Sequence, residues 1–393
     1  MPTVRGWAMM GAGLALVLLW ALLGNDIELL LTGAFLTTAA VIGVIWVRLT
    51  GLALTVERRI SPGTVNEGQT VTAAITVRNA GRIRIANLFV VDEIRGLGLA
   101  SFETSLLRSG DSATGTYRVS CRPRGIYQVG PPKATATDPL GLAEVSVVAD
   151  LVDRLVVYPA VEDLDGLPSL AARTGLGNQS TPDRSQRGGE DFYTLRQYQL
   201  GDDLRRVHWP WSAKTEELMI RQLQTPQHAE AVIYLDTRAN AYESGDAFEQ
   251  AVRGAASALA HLARFGLATE VWFGGSESSG EKTYRGAMEQ LAVITPRWHI
   301  HLAPSAAQLE DMVTDGVLVV VTGTPDREVL TIIRALGSRR AFPIAMLATG
   351  TTPPILGQFH REGIMTIVSS EDGSWAREWR RTTQGSWDAA SAR

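Results

Sequence analysis

Two apolar runs stand at the start of the chain and restrict everything downstream of them. Residues 7–23 carry no charge, and residues 27–47 carry only Glu28. A helix of about 17–25 apolar residues spans a bilayer, so each run predicts a membrane-crossing helix. Only Gly24, Asn25 and Asp26 lie between the runs, which predicts a tight hairpin. Arg5 precedes the first run, and Arg48, Arg58 and Arg59 follow the second, whereas the loop has no cation. The bias of cations toward the cytoplasm then puts both ends and all later domains on the cytoplasmic side of the cell membrane. The rival reading is a cleaved signal peptide over the first run. That run is long for a signal core, and a second span follows at once.

The chain has 393 residues, enough for two or three domains. Its formal net charge of −4 at pH 7 argues against nucleic-acid binding, which usually shows as a basic patch or stripe. A single cysteine, Cys121, excludes an intramolecular disulfide and a cysteine-rich metal site, and suits a reducing compartment.

After the hairpin (residues 1–50), residues 51–160 have the pattern of a small all-β sandwich. Val71, Ala73, Ile75 and Val77 alternate with Thr70, Thr72, Ala74 and Thr76, the period of a half-buried strand. Further strands are predicted at 86–94, 113–121, 125–129, 143–148 and 155–158, separated by glycine and proline turns. Asp138 before Pro139 reads as a turn residue. Residues 161–189 are poor in apolar side chains and read as a linker.

Residues 190–230 concentrate charge and aromatic rings. From Arg187 to Arg221, the cations Arg187, Arg196, Arg205, Arg206, Lys214 and Arg221 are matched by the acids Glu190, Asp191, Asp202, Asp203, Glu216 and Glu217. Phe192, Tyr193, Tyr198, Trp209 and Trp211 are interleaved with them. This balance predicts an ion-pair network packed against a core, since a solvated charged face would lack the rings. A short helix is expected from Asp202, as its N-cap, to Trp209, ended by Pro210. Leu218 to Leu223 reads as a strand.

The run Phe192-x-x-Leu195-Arg196-x-Tyr198-x-x-Gly201-Asp202-Asp203-x-Arg205-Arg206-x-His208-Trp209, followed by Ser212-Ala213-Lys214 and Glu217-Leu218-Met219-x-Arg221, resembles the signature of the bacterial domain of unknown function 58 family. Lys214 stands at a position where that signature has arginine, and His208 where many members have aspartate. The resemblance implies a membrane-anchored protein with a von Willebrand factor A-like domain and a partnership with MoxR-type AAA+ ATPases. It implies no reaction.

Residues 231–393 alternate apolar strands (231–235, 269–273, 317–321, 344–347, 365–368) with helices (248–265, 288–294, 328–336). That order predicts a mainly parallel sheet covered on both faces, a doubly wound α/β domain, the class to which the von Willebrand factor A fold belongs. Trp375, Trp379 and Trp387 lie among arginines near the C-terminus, which predicts a last helix docking its rings.

Such a sheet binds ligands beyond the carboxyl ends of its strands. The first such end here is Asp236-Thr237-Arg238-Ala239-Asn240. In von Willebrand factor A domains this position carries Asp-x-Ser-x-Ser around a Mg²⁺. Here Arg238 and Asn240 replace the serines, and a cation beside the seat repels a metal. The loop is therefore read as a degenerate metal site, with Arg238 pairing with Asp236 in place of the ion. No metal and no cofactor is expected.

Asp202, Asp203 and His208 include the residue types of a metal hydrolase, but Asp203 and His208 are five apart and share no helix face. Neither a phosphate loop nor a nucleophile elbow is present. The sequence thus predicts a structural or partner-binding network of Glu190, Arg196, Tyr198, Asp202, Asp203, Arg205, Arg206, His208, Trp209, Lys214 and Arg221. The function expected is a membrane-tethered interaction module without turnover of its own, acting with an AAA+ ATPase. The alternative is a metal-dependent hydrolase using the acids and histidine of the 190–221 signature.

Overall fold

The computed structural model describes residues 1–24, 26–51, 54–166, 193–197, 209, 212, 214, 217–223, 230–274, 281–302, 316–337, 341–350, 353–369 and 373–391. The two apolar runs form helices α1 (Val4–Leu23) and α2 (Ile27–Gly51), both long and apolar enough to cross a membrane. Thr3 caps α1 by accepting the Gly6 N–H, and Gly24 ends it in a left-handed conformation (φ 71°) that glycine adopts at little cost. The helices meet through small residues. A Cβ on Gly33 would lie 2.7 Å from the Gly13 carbonyl oxygen, so only glycine permits this approach. Leu14, Leu18, Phe35 and Ile42 point outward and are exposed.

The chain divides into two compact units, Met1–Val161 with Met288–Ile294, and Glu162–Ala287 with Thr295–Arg393. In the first, ten strands follow α2: β1 (Leu54–Ser61), β2 (Thr64–Asn66), β3 (Thr70–Asn79), β4 (Asn87–Ile94), β5 (Gly98–Thr104), β6 (Ser112–Ser120), β7 (Gly125–Val129), β8 (Lys133–Thr137), β9 (Glu144–Val148) and β10 (Asp153–Tyr158). They make a three-stranded sheet, β1-β3-β6, and a larger mixed sheet, β2-β10-β7-β4-β8-β9, with β5 paired to β4. The sheets share a core. Ile75 and Val77 of β3 pack with Leu88 and Val90 of β4 and Ala134 and Ala136 of β8. Val71, Cys121, Val129 and Leu155 form a second cluster.

Four of these strands were not expected from the sequence, for local reasons. In β1 the alternation is hidden because its inward residue is Arg58. This guanidinium is buried against Asp92 (2.8 Å) and Asp153 (2.8 Å) and also donates to the Val129 carbonyl. Tyr117 donates to the other Asp92 oxygen, and burial together with that hydrogen bond pushes its phenol well above the usual value. β2 is too short for a period to show, and β8 carries only Ala, Thr and Lys. β5 pairs only with β4, and its outward residues are exposed.

From residue 162 onward the chain forms an antiparallel pair, β11 (Tyr193–Gln197) with β12 (Met219–Leu223), then β13 (Glu230–Leu235), α3 (Gly245–Arg264), β14 (Ala268–Phe273), α4 (Tyr284–Val293), β15 (Gly316–Thr322), α5 (Arg327–Gly337), β16 (Ala341–Ala348), α6 (Leu356–Arg361), β17 (Met365–Ser369) and α7 (Trp375–Ser391); all but the larger part of α4, residues 288–293, belong to the second unit. β12 falls where the alternation at 218–223 predicts a strand. β13 to β17 form one parallel sheet in the order β14-β13-β15-β16-β17.

Side chains alternate across these strands. Val232, Tyr234, Leu318, Val320 and Leu347 pack with Val329, Leu330 and Ile333 of α5 and Phe359 of α6. The intervening residues face α3, whose Phe248, Val252, Ala255 and Leu259 are buried. Helices therefore cover both faces. α7 docks Trp375 and Trp379, both fully buried, with their indole N–H groups donating to the carbonyls of Gln250 and Asp165. The side chain of Trp387 lies outside the described residues.

Candidate functional site: the carboxyl edge of the parallel sheet

Numbered within the sheet, the strand order is 2-1-3-4-5. The chain leaves β13 toward one side and reaches β15 on the other, so a crevice is expected beyond the carboxyl ends of β13 and β15. The Asp236 loop lies at that point. Asp236 follows β13, is fully buried, and its N–H donates to the Val321 carbonyl of β15.

The crevice is occupied by the Arg238 guanidinium. Its Nη2 lies 2.9 Å from Asp236 Oδ2 and its Nε 3.1 Å from Asp236 Oδ1. Its Nη1 donates to Asp326 Oδ2 and Glu328 Oε2, each at 2.7 Å. The Asp236 carboxylate also accepts from the Arg238 N–H (3.0 Å) and from Thr322 Oγ1 (2.8 Å). Tyr242 donates to the Asp236 carbonyl. Gly323 lets the chain leave β15 close beside this loop, since a Cβ there would lie 2.2 Å from the Ala241 carbonyl oxygen.

The electrostatics follow from this geometry. Burial alone would lower the Arg238 pKa, but the hydrogen bonds and charges of Asp236 and Asp326 outweigh it and hold the guanidinium permanently charged. Burial alone would raise Asp326, yet the Arg238 and Val329 N–H donors pull it below the ordinary carboxylate range. The Tyr242 phenol is pushed well up, by burial first and then by the Asp236 charge. Three carboxylates thus surround one guanidinium. Asp236 is sealed, whereas the Asp326 and Glu328 side chains are 49% and 34% exposed. His301 approaches Glu328 at 3.5 Å from an exposed position.

A divalent cation does not fit this donor set. Both Asp236 oxygens face hydrogen-bond donors, and a metal would have to displace the guanidinium. Among the described residues, no group of three or more His, Cys, Asp or Glu could hold a metal ion. Asn240 is exposed.

Of the signature residues, Glu190, Tyr198, Asp202, Asp203, Arg205, Arg206 and His208 lie outside the described residues, as does most of the linker. Arg196 and Arg221 sit in the paired strands β11 and β12, one position out of register with each other. Their side chains are outside the described set. Trp209 and Lys214 are helical and exposed. Ser212 is buried and accepts the Met219 N–H at 2.8 Å, tying the segment to the start of β12. Sequence reasoning missed Asp326 and Glu328 as partners of Arg238. A signal was present, because Thr324-Pro325-Asp326 precedes a helix and Asp326 caps it through the Val329 N–H (3.0 Å).

Comparison with known proteins adds the following. The family model described as "Protein of unknown function DUF58" matches residues 194–341. The uncharacterized protein YeaD of Bacillus subtilis (strain 168) is 24% identical over 188 residues, 46% of this chain and 46% of YeaD. The match therefore spans about half the length of this curated relative. Among solved structures, the CARDB domain of the PF1109 protein from Pyrococcus furiosus is 23% identical and covers 28% of this chain and 94% of its own, with a TM-score of 0.21. The sporulation control protein Spo0M from Bacillus subtilis is 13% identical and covers 27% and 49%, with a TM-score of 0.17. The part of the chain that resembles the DUF58 family is thus residues 194–341, which run from β11 to the first residue of β16 and include the Arg238 cluster.

Proposed function

We propose that this protein is a membrane-tethered interaction module without turnover of its own. In this reading α1 and α2 cross the bilayer as a hairpin, both termini and the folded domains are cytoplasmic, and the α/β domain is von Willebrand factor A-like. The partner is a protein, and the resemblance to the domain of unknown function 58 family points to a MoxR-type AAA+ ATPase. The signature residues would serve the same docking surface.

One observation carries the reading. The place where an open parallel sheet receives a small ligand or ion is filled by Arg238, clasped by Asp236, Asp326 and Glu328. What remains for recognition is the rim, where partly exposed Asp326 and Glu328 leave negative charge in excess. Such a rim suits a basic side chain of a protein partner.

The test is binding of a purified MoxR-type ATPase to the full chain in detergent micelles, wild type against Glu328→Lys. Binding by the wild type that is lost with the variant supports the reading. Equal binding by both, or none by either, overturns it. Hydrolysis of a phosphoester or peptide by the wild type would put an enzyme in its place. For topology, a cysteine at Asn25 is expected to react with an impermeant reagent in intact cells, and one at exposed Thr114 is not. Native Cys121 cannot report either way, because it is buried.

A further inference from the structure

The β8–β9 turn, residues 138–142, has a construction that a solvent-facing turn does not need. Its tip is apolar and exposed: Pro139 is open to solvent and Leu140 is 66% exposed. Much of its backbone around that tip, by contrast, is paired within the fold. The buried Asp138 carboxylate accepts the Leu140 N–H (3.0 Å) and the Ala143 N–H (2.7 Å). The Asp138 carbonyl accepts the Gly141 N–H (3.0 Å). The Gly141 carbonyl accepts Thr3 Oγ1 (2.7 Å), and the Leu142 carbonyl accepts the Thr3 N–H (2.9 Å). Pro139 has no N–H to satisfy. Internal pairing of this kind is what a segment needs where water is scarce.

The same turn holds both membrane helices. A Cβ on Gly6 of α1 would lie 2.0 Å from the Leu142 carbonyl oxygen, and one on Gly43 of α2 would lie 3.3 Å from Asp138 Oδ2. Beyond these contacts, residues 7–23 of α1 and 27–42 of α2 each extend about 25 Å at 1.5 Å per residue. The hydrocarbon core of a bilayer is about 30 Å thick. A hairpin slightly too short for that core draws its attachment point to the bilayer boundary. Arg5 is exposed one residue before the Gly6 contact, where a hairpin inserted in this way would bring it to headgroup level.

We propose that the β8–β9 turn is a membrane-depth stop: it seats Pro139 and Leu140 in the interfacial layer of the bilayer and fixes how far α1 and α2 are inserted. This rests on the membrane-tether part of the function proposed above, not on any protein partner.

The full chain with Cys121→Ser, carrying one cysteine at Leu14, Leu140 or Val148, is labelled with an environment-sensitive fluorophore. It is reconstituted in phosphatidylcholine–phosphatidylglycerol vesicles. Val148 is exposed at the far end of β9, about 13 Å along the strand from its turn end. Lipid spin-labelled near the headgroup is expected to quench Leu140→Cys several-fold more than Val148→Cys, and aqueous iodide on both sides is expected to do the reverse. Leu14→Cys is expected to resist iodide. If Leu140→Cys and Val148→Cys respond alike while Leu14→Cys resists iodide, the depth stop is overturned and the tether stands. If iodide quenches Leu14→Cys as well, the tether fails and takes the depth stop with it.

Discussion

Each unit of the molecule buries one arginine among carboxylates, and the two arginines are used differently. Arg58 lies inside the β-sandwich, where its side chain and that of Asp92 are both fully buried. Part of its donor capacity goes to main-chain carbonyls, Val129 and Leu151, so it pins the β1 strand to inner strands of the larger sheet. Arg238 lies at the carboxyl edge of the parallel sheet, and its side-chain donors go to carboxylates on separate elements. One acid is sealed and the other two reach solvent. The chemistry is the same, but the place in the fold makes the first a core fastener and the second a plug at the strand ends, where open parallel sheets in general receive ligands. A buried ion pair therefore does not identify a functional site. Its position relative to strand ends does.

The largest effect expected is from Arg58→Ala. It leaves Asp92 charged, buried and short of its cation, which costs about 3–5 kcal/mol. Chemical denaturation of the purified protein should show this as a large fall in the midpoint of the β-domain transition. A midpoint near wild type would mean that Arg58 is no fastener, and the comparison would collapse.

Arg238→Ala should cost less, about 2–3 kcal/mol, because Asp236 keeps Thr322 and a main-chain N–H as donors. Thermal melting of the two variants side by side measures the difference. A loss as large as that of Arg58→Ala would recast Arg238 as a second core fastener.

The smallest effect is from Asp326→Asn, which removes a half-exposed partner and should cost under about 1 kcal/mol at neutral pH. Its pH dependence is the sharper test. Asp326 is held below its ordinary 3.8 in the folded protein, so its contribution is complete above that value and lost as pH falls through the lower folded one. The gap between wild type and Asp326→Asn should therefore close on acidification below pH 3.8. A gap independent of pH would show that the aspartate acts through its cap on α5 and not through its charge.

Much of this architecture could be read from residues alone. The membrane-length helices follow from uncharged runs, because no other local arrangement satisfies so many consecutive apolar side chains. The parallel sheet follows from apolar strands alternating with helices, and the pairing of Arg238 with Asp236 follows from their spacing at a strand end. The strands missed are those whose inward side chains are short or charged, as in β8 and β1, where local pattern and burial part company.

Sequence by itself determined where α1, α2 and β13 to β17 run, because periodicity is a local property. Only the tertiary structure decided what the polar residues do. Asp326 and Glu328 are some 90 residues from Arg238 along the chain, and the crossover from β13 to β15 brings them together. Asp138 reads from sequence as an ordinary turn residue, and the fold places its carboxylate beside Gly43 of a membrane-length helix. Long-range contact depends on how strands are ordered in a sheet, which no local period records.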